Sequence, residues 1–546
     1  MIYQSKFGAA AIPETLDVHS VVFSKDKYNS SSTALIDAVS GTRVSFKQLL
    51  QSIDALSAAL YASLAFKKWN VVAIFSPNHI QYPTIVHAVL KAGGTVSPAN
   101  PSYSVNELAF QLKDSGAKYL FVHPAVLETA LAAAQKVGIA EKNIILLDEP
   151  SVVVPGPSRR TINQISAANK VPAPVVKLTR EEIMQRPAYM CYSSGTTGLP
   201  KGVETTQYNV IANTWQYDAY QKKSREVMAG DVWTGVLPFF HIYGMVVSCH
   251  IGFHQSCAVV VFPKFDLTNW VNSLVKYNVS GAHIAPPIAL AMAKHPMLDD
   301  YKFPKLRWMM SGAAPLAPEI IHAVHKRLGV VVNVGYGLTE TSPVTHLLPA
   351  SLALKYPNSI GLMIPNIEAR IVNPDTGKDV EQGQEGELWV RGPNVMKGYH
   401  NNAKATADCI DKDRFFHTGD IVKVDENGMF YIVDRLKELI KCKGFQVPPA
   451  ELEAYLLEHP AIADAAVIGR SDEACGEVPR AFVVLKPNVK CTDTEIIEFI
   501  DAKVAPHKKL RGGVEFVAEI PKSASGKILR RILRTQDAAN LKKAKL

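Results

Sequence analysis

Residues 188–202 read AYMCYSSGTTGLPKG. The first part is an apolar run typical of a buried strand, and the rest is a loop of small and hydroxylated residues ending in Pro-Lys-Gly. Glycines let the backbone approach a ligand closely, hydroxyl and amide groups donate to phosphate oxygens, and Lys201 adds positive charge. The stretch therefore predicts a strand that leads into a phosphate-binding loop.

This loop differs from a Walker A motif. Gly195 and Lys201 do not fit the G-x-x-x-x-G-K-[ST] spacing, and Gly202 stands where Ser or Thr should follow the lysine. The sequence therefore argues against an ordinary P-loop nucleotide hydrolase. A plain surface turn is a poor alternative for ten such residues in succession.

Upstream of the loop, helix and strand patterns alternate. An amphipathic helix pattern is followed by VVAIFS (71–76), QYPTIVHAVLKAGG (81–94) and TVSPAN (95–100). A second round consists of KDSGAKYLFVH (113–123), VLETALAAAQKVG (126–138) and NIILLD (143–148). This alternation predicts an α/β fold with doubly wound parallel sheets.

The pattern changes twice further along the chain. Residues 359–399 contain short β-rich runs broken by turn sequences, which predicts a small β-barrel or antiparallel subdomain. After the charged run DRLKE (434–438), the helix and strand patterns indicate a compact α+β unit. We expect an N-terminal domain over residues 1–434 and a small C-terminal domain over residues 435–546.

Composition narrows the functional classes. The chain has 546 residues, 47% hydrophobic and 20% charged, which is typical of a globular protein. Its net charge of +9 is spread along the chain, so an anionic small molecule is as good a partner as a polyanion, and we expect no nucleic acid. Seven cysteines without a C-x-x-C pair predict reduced thiols. We expect neither a secretory signal nor a membrane span.

The loop at 193–202 resembles the signature of the adenylate-forming superfamily, which includes acyl-CoA synthetases, nonribosomal-peptide adenylation domains and beetle luciferases. Further family motifs follow in order up to Lys527, so the resemblance covers essentially the whole chain. Their form is most similar to 4-coumarate:CoA ligases. The resemblance implies ATP and CoA as co-substrates, Mg²⁺ as cofactor, and an acyl-adenylate that is passed to a thiol.

The resemblance implies a nucleotide site built from the loop and four later motifs. In GYGLTE (335–340), the tyrosine is expected to stack on adenine, Thr339 to meet the α-phosphate and Glu340 to help hold Mg²⁺, which prefers carboxylate oxygens. Asp420 and Arg435 are expected to hold the ribose hydroxyls. The implied nucleotide-binding residues are Ser193, Ser194, Gly195, Thr196, Thr197, Lys201, Ala313, Gly335, Tyr336, Gly337, Thr339, Asp420, Arg435, Lys437 and Lys527.

The resemblance also implies an acyl pocket beside the PFFHIYG stretch (238–244). Its expected residues are His241, Tyr243, Val247, Met310, Ala313, Val334, Gly335, Val344 and Leu347. Val334 stands where 4-coumarate:CoA ligases resemble one another in carrying glutamine, so the pocket is expected to be apolar. This favours an aryl or medium-chain acid and puts a hydroxycinnamate-specific pocket in doubt.

The expected catalytic residues are divided between the two domains. The resemblance assigns adenylation to Lys527 and thioester formation to Lys441 and Gln446, with His241 and Thr339 at the reacting groups. It implies CoA contacts at Lys264, Lys443 and Gly444. Lys441 and Lys527 lie in one small domain, so the C-terminal domain is expected to rotate between half-reactions about a hinge at Lys437.

Other functions are compatible with the same motifs. A free-standing enzyme that loads a carrier protein, a luciferase-type oxygenase and a non-catalytic nucleotide-binding scaffold are the alternatives. The scaffold ranks low because all three site lysines are present. The final tripeptide, Ala544-Lys545-Leu546, resembles the signal read by the peroxisomal import receptor, so we expect a peroxisomal protein, with the cytoplasm as alternative.

Overall fold

A computed structural model describes residues 1–24, 29–149, 152, 159–168, 171–193, 200–224, 226–442, 445–472, 475–523 and 526–544. Two large α/β sheets carry most of the described chain, and two smaller β-rich units follow. Most helices join successive parallel strands, as the alternation in the sequence predicts. The α-helices are Val18–Val22, Phe46–Leu64, Tyr82–Lys91, Val105–Asp114, Leu127–Val137, Ile162–Ala167, Arg180–Gln185, Gln207–Ser224, Ile242–Val246, Gly252–His254, Leu267–Lys276, Pro286–Lys294, Pro318–Leu328, Ala350–Ala353, Ala403–Ala407, Pro449–Glu458, Asp493–Asp501 and Arg530–Ala544.

Short turns of other helix types complete the list. One π-helical turn, Val247–Ile251, continues directly from the helix after the PFFH residues. The 3₁₀ turns are Pro124–Val126, Glu141–Asn143, Pro296–Asp300, Thr339–Thr341 and Pro506–Lys508.

The first sheet has seven strands and carries the predicted phosphate loop. In spatial order they are Gly398–Tyr399, Lys201–Thr206, Pro187–Ser193, Thr95–Ala99, Val71–Phe75, Ala117–Val122 and Ile144–Leu146. The last five are parallel and the first two pair antiparallel at the edge. Each strand predicted in the two helix–strand rounds is present, so the predicted α/β class is confirmed.

The second sheet has nine strands and carries the acyl-pocket and GYGLTE motifs. In spatial order they are Leu362–Met363, Val344–Leu347, Val331–Gly337, Trp308–Ser311, Gly281–Ile284, Val232–Gly235, Ala258–Val261, Thr33–Asp37 and Arg43–Ser45. Its six central strands, Val331–Gly337 to Thr33–Asp37, are parallel and its outer strands are antiparallel. Functional motifs therefore follow the carboxyl ends of parallel strands, where α/β sheets place their ligands.

The region from residue 359 onward forms the predicted antiparallel subdomain. Its strands, in spatial order, are Tyr3–Gln4, Glu368–Val372, Gly386–Arg391, Phe416–Val424 and Phe430–Arg435. The amino-terminal strand thus pairs with a strand more than 360 residues away, Tyr3 opposite Ala369. No local pattern in the sequence predicts that pairing.

A separate sheet begins after Arg435. Its strands are Phe445–Val447, Ile440–Cys442, Gly476–Leu485 and Ile462–Asp472 in order, with Val514–Phe516 pairing beside Gly476–Leu485. Its buried side chains form their own clusters, apart from the core that joins the large sheets. The predicted boundary at 434/435 lies beside this change of sheet, and the mobility of the C-terminal unit stays a prediction.

Helix starts follow from local chemistry. Ser45 and Gln48 form a capping box at the helix Phe46–Leu64, and Ser104 and Glu107 form another at Val105–Asp114. Each box satisfies backbone N–H groups that the first helical turn cannot pair internally. Among the described helices, none is both long and apolar enough to cross a membrane.

Candidate active site

The phosphate loop joins two antiparallel strands of the seven-stranded sheet. Pro187–Ser193 leads into it, Lys201–Thr206 leads out, and Ser193 pairs with Lys201 at its base. The interior of the loop, with Ser194, Gly195, Thr196 and Thr197, lies outside the described residues. The flanking strands thus place Ser193 and Lys201 at the neck of a hairpin.

Glu340 lies next to this neck although it belongs to the other sheet's motif. Its Oε1 accepts a hydrogen bond from the Tyr399 hydroxyl at 2.8 Å and one from Ser193 Oγ at 3.4 Å. The Glu340 side chain is buried. The hydrogen bonds it receives from described side chains both fall on Oε1, which leaves Oε2 for a cation. The predicted metal ligand is thus adjacent to the phosphate loop.

The predicted ribose residues are in direct contact. Asp420 and Arg435 pair across neighbouring strands, with Arg435 Nε 3.0 Å from Asp420 Oδ1. Tyr336 donates its hydroxyl to Asp420 Oδ2 at 2.6 Å. Burial, and after it the Asp420 carboxylate, raises the pKa of Tyr336 far above its usual value, so the phenol remains a donor.

The GYG turn requires its glycines. A Cβ on Gly337 would lie 2.0 Å from the Pro343 carbonyl oxygen, which no side chain can tolerate. Gly335 is less tightly packed, with the side chains of Leu347 and Met310 beside it. Only glycine therefore allows the strand Val331–Gly337 to pass so close to the residues that follow it.

Lys527 belongs to the C-terminal unit and is partly buried. The backbone N–H of Lys527 donates to Ser523 Oγ at 3.1 Å, and the preceding Gly526 packs near Pro287, at the start of the helix Pro286–Lys294. Burial and the neighbouring Arg435 guanidinium lower the pKa of Lys527 to about 8, against the opposing influence of Asp420. The predicted adenylation lysine is thus partly buried within electrostatic reach of the predicted ribose residues.

His241 is the N-cap of the helix Ile242–Val246, and the segment before it is held by the buried amide of Asn78. Asn78 Nδ2 donates to the carbonyls of Gly235 and Leu237, and its Oδ1 accepts the N–H of Phe239. Burial lowers the pKa of His241 to about 4, so its imidazole is neutral at pH 7.

Tyr243 is fixed in the wall beside His241. Its hydroxyl lies 3.3 Å from His283 Nδ1 and 3.3 Å from the Met310 carbonyl oxygen. The ring packs so closely on Gly312 that a Cβ there would lie 2.9 Å from Tyr243 Cε1. The tyrosine hydroxyl is therefore engaged within the wall itself.

Most of the remaining predicted acyl-pocket residues belong, with Tyr243, to one hydrophobic cluster. Met310, Val344, Val247 and Leu347 are buried, with Val247 and Leu347 almost without exposed surface, while Val334 is half-buried. Ala313 is exposed and has a φ of +71°, a left-handed backbone conformation that is uncommon for alanine. Most of these side chains are hydrophobic and buried, and their role in an acyl pocket stays a prediction.

The residues predicted to act in thioester formation lie outside this cluster. Lys441 is exposed, and its N–H donates to Glu477 Oε2 within the same C-terminal sheet. The backbone of Gln446 pairs opposite Lys441. Lys264 and Lys437 are exposed. Lys443 and Gly444 lie outside the described residues, so the CoA contacts stay predictions.

Three residues that the sequence did not reveal now join the site. Tyr399 contacts Glu340, His283 contacts Tyr243, and Asn78 holds the loop before His241. A tyrosine, a histidine and an asparagine are common in structural roles, and each is far in sequence from its partner. Only a signal that links distant positions could have identified them.

A second cluster of potential ligands lies elsewhere. The Nε2 atoms of His79 and His123 lie 3.7 and 3.8 Å from Glu149 Oε2. Each Nδ1 accepts a backbone N–H, from Gln81 and Ala125 respectively. In a neutral imidazole the Nε2 atoms then carry the hydrogens, so they donate towards the carboxylate and offer no lone pair to a metal.

Known proteins show the same organisation. Residues 24–400 match the AMP-binding enzyme family and residues 451–527 match the AMP-binding enzyme C-terminal domain. The chain is 38% identical over 543 residues to a probable 4-coumarate–CoA ligase 1 of Dictyostelium discoideum, covering 97% of each chain. It is 38% identical over 544 residues to 4-coumarate–CoA ligase-like 1 of Arabidopsis thaliana, covering 98% of this chain and 96% of the relative.

Solved structures agree in fold. ATP-bound MatB from Rhodopseudomonas palustris is 25% identical with a TM-score of 0.85, covering 96% of this chain and 99% of that chain. The o-succinylbenzoate CoA synthetase of Bacillus subtilis, solved with its acyl-adenylate intermediate, is 25% identical with a TM-score of 0.77, covering 95% and 97%. Together with the two family matches, these likenesses place the chain among the adenylate-forming AMP-binding enzymes, in the group of 4-coumarate–CoA ligase-like acid–CoA ligases.

Proposed function

We propose that the protein is an AMP-forming ligase that joins an aryl or medium-chain carboxylic acid to CoA through an acyl-adenylate. The observation that carries this proposal is the position of Lys527. Its ammonium group is partly buried and senses the charges of Arg435 and Asp420, whereas Lys441 of the same C-terminal unit is exposed. This difference supports a role for Lys527 in the first half-reaction and for Lys441 in the second.

The first half-reaction joins two anions. A carboxylate oxygen attacks the α-phosphorus of ATP, the bond to the β-phosphate oxygen breaks, and pyrophosphate leaves with its electron pair. Since attacking and attacked groups carry like charge, the site must supply cations and donors more than a proton-transfer group. Lys527, Lys201 and the loop backbone supply these, and Thr339 lies in the turn beside Glu340.

Magnesium fits the residues present. Glu340 offers a buried carboxylate whose Oε1 is held by two hydroxyl donors, and hard divalent cations prefer such oxygen ligands. Glu340 would hold the ion close to Ser193 and Lys201. When bound, the ion would supply positive charge opposite the ATP phosphates.

The second half-reaction uses the same intermediate with a different nucleophile. The CoA sulfur attacks the acyl carbonyl carbon, the bond to the AMP oxygen breaks, and the thiol proton is released. Lys441 and Gln446 belong to a strand pair distant in sequence from the Lys527 turn. We therefore propose that the C-terminal unit turns about the segment near Lys437 to exchange one lysine for the other.

The pocket walls support an apolar acid. Val247, Met310, Val344 and Leu347 are buried hydrophobic residues, and Val334 adds another hydrophobic side chain. The Tyr243 hydroxyl is already engaged by His283 and the Met310 carbonyl. A pocket of this kind favours an acid that fills apolar volume over one recognised through a ring hydroxyl.

The test separates the two half-reactions. Purified protein receives ATP, Mg²⁺, CoA and a panel of aryl and short- to medium-chain acids, and pyrophosphate, AMP and acyl-CoA are measured together. Lys527→Ala should abolish adenylate formation yet convert supplied acyl-AMP to acyl-CoA, and Lys441→Ala should do the reverse. Lys522→Ala is the matched control, because Lys522 lies near the same turn and pairs with Asp464 instead.

The outcomes distinguish the alternatives. Thioester with AMP supports the ligase and identifies its acid. Acid-dependent pyrophosphate release without thioester would indicate that the acyl group goes to an acceptor other than CoA, such as a carrier protein. Equal loss of both half-reactions in Lys527→Ala would contradict the division between the lysines.

We also propose import into peroxisomes through Ala544-Lys545-Leu546. Ala544 ends the helix Arg530–Ala544, and Lys545 and Leu546 lie outside the described residues. A fluorescent protein carrying these residues at its carboxyl terminus should enter peroxisomes, and removal of the final leucine should leave it in the cytosol. Unchanged distribution of the two fusions would refute the proposal.

A further inference from the structure

Tyr399 links two parts of the nucleotide site that belong to different elements. It lies in the edge strand Gly398–Tyr399, opposite Val203 of the strand that leaves the phosphate loop. Its hydroxyl donates to Glu340 Oε1 at 2.8 Å, across 59 residues of sequence. Its ring lies under a cation, with Lys201 Nζ 4.8 Å from the ring centroid. One side chain therefore touches the proposed metal ligand and the loop lysine together.

Both contacts are of kinds that fix geometry. A hydroxyl that donates to a carboxylate forms one of the stronger hydrogen bonds in proteins. A cation within about 6 Å of an aromatic ring centroid is attracted by the ring face. The backbone of Tyr399 is itself anchored, because its N–H donates to Thr406 Oγ1 at 2.9 Å. Tyr399 is therefore held at both its backbone and its side chain.

The two hydrogen bonds to Glu340 fall on the same carboxylate oxygen. Tyr399 and Ser193 both donate to Oε1, so this oxygen is held and Oε2 is directed away from them. A carboxylate with one fixed oxygen needs less reorganisation to receive a cation than one that rotates freely. The ring meanwhile limits where the Lys201 ammonium group can lie.

We propose that Tyr399 is a positioning residue for metal-bound ATP, which aligns the Glu340 carboxylate through its hydroxyl and the Lys201 ammonium through its ring. This inference rests on the proposed function, because it needs Glu340 and Lys201 to hold the metal and the phosphates. Tyr399 itself contacts neither the acid nor the reacting atoms in this scheme. Its removal should therefore affect metal-dependent ATP binding and leave the acid's KM unchanged.

Two variants separate the two contacts. Tyr399→Phe keeps the ring over Lys201 and removes the donor to Glu340, whereas Tyr399→Leu removes both. Tyr431→Phe is the matched control, since Tyr431 donates to Asp425 Oδ2 at 3.0 Å, a carboxylate that the proposed site does not use. Thermal unfolding of all three verifies folding. The probes are ATP with Mg²⁺, ATP with EDTA, and Mn²⁺ followed by electron paramagnetic resonance.

In Tyr399→Phe we expect calorimetric binding of ATP with Mg²⁺, and Mn²⁺ binding in the presence of ATP, to weaken about tenfold, as for loss of one hydrogen bond to a charged group. Binding of ATP with EDTA should be unchanged in Tyr399→Phe and weaker in Tyr399→Leu. In a Glu340→Gln background, Tyr399→Phe should have no further effect, because the coupling would already be lost.

The failures are distinguishable. If the wild-type protein binds ATP with Mg²⁺ and Tyr399→Phe binds it equally well, the positioning role is wrong and the ligase proposal stands. A wild-type protein that does not bind ATP at all would overturn the proposed function first. If the KM for the acid rises by the same factor as ATP binding weakens, Tyr399 only supports the fold. The same conclusion would follow if ATP binding weakens equally with and without the metal.

Discussion

Tyr336 donates its hydroxyl to Asp420 Oδ2 at 2.6 Å, while Arg435 Nε lies 3.0 Å from the other oxygen of the same carboxylate. The carboxylate proposed to hold the ribose is thus positioned by residues from the nine-stranded sheet and the antiparallel sheet. Its orientation depends on the packing of two sheets that form at distant points of the chain. Pre-organised acceptors of this kind reduce the entropy lost on ligand binding.

Removing the Tyr336 hydroxyl should weaken nucleotide binding. Tyr336→Phe keeps the ring beside the proposed adenine position and removes one hydrogen bond to a carboxylate, which is worth about 1.5–3 kcal/mol. We expect KM for ATP to rise about tenfold with an unchanged KM for the acid, measured by pyrophosphate release. An unchanged KM for ATP in Tyr336→Phe would show that Arg435 alone positions Asp420.

The pKa of Lys527 predicts the pH dependence of adenylation. Burial and Arg435 lower it to about 8, so the ammonium group is lost as pH rises through that value. Because the protonated form offsets phosphate charge, kcat/KM for pyrophosphate release should fall above about pH 8. The rate of thioester formation from supplied acyl-AMP should not show this fall at alkaline pH.

Arginine at position 527 is the appropriate comparison. A guanidinium stays protonated throughout the accessible range, so Lys527→Arg should remove the alkaline limb even if its overall rate is lower. The limb should persist in Lys441→Ala. If it also persists in Lys527→Arg, another group is responsible for the titration.

Buried histidines predict a loss of stability in acid. Burial lowers the pKa of His87 to about 4, and that of His283 and His346 to about 3. The unfolded chain, with histidine near 6.5, binds more protons than the folded one below that pH. Stability is therefore present above about pH 6.5 and is lost as pH falls towards 4.

Urea unfolding between pH 7.5 and 4.5 measures this effect. His87 Nε2 lies 2.8 Å from the Cys249 carbonyl oxygen, and glutamine can supply a donor there without titrating. His87→Gln should flatten the dependence by up to about 3 kcal/mol at the acid end, since each pKa unit corresponds to about 1.4 kcal/mol. An identical slope in the variant would assign the acid sensitivity to other groups.

Gly312 should control the size of the acyl pocket through Tyr243. A methyl group at 312 would lie 2.9 Å from Tyr243 Cε1 and must displace the ring. Gly312→Ala is expected to raise KM for bulky acids several-fold and to leave KM for ATP unchanged, both measured with the acid found in the panel. Adding Tyr243→Leu to the Gly312→Ala variant should lower the KM for bulky acids again, because leucine leaves space for the methyl group.

Much of the fold and of the site could be predicted from sequence because the signals are local. The alternation in VVAIFS and QYPTIVHAVLKAGG reflects periods of two and 3.6 residues, which neighbouring residues encode by themselves. Asp420 and Arg435 were predicted through their motifs, and the structure places them in contact. The phosphate loop itself lies outside the described residues, so that part of the prediction rests on its flanking strands.

The sequence by itself determined the α/β class, the order of the motifs and the types of residue proposed to meet the nucleotide. Tertiary structure alone decided which distant residues touch: Tyr399 with Glu340, His283 with Tyr243, and Tyr3 with Ala369. Such contacts depend on the pairing and packing of strands from separate parts of the chain. Since secondary structure follows from interactions between near neighbours, no local pattern carries information about them.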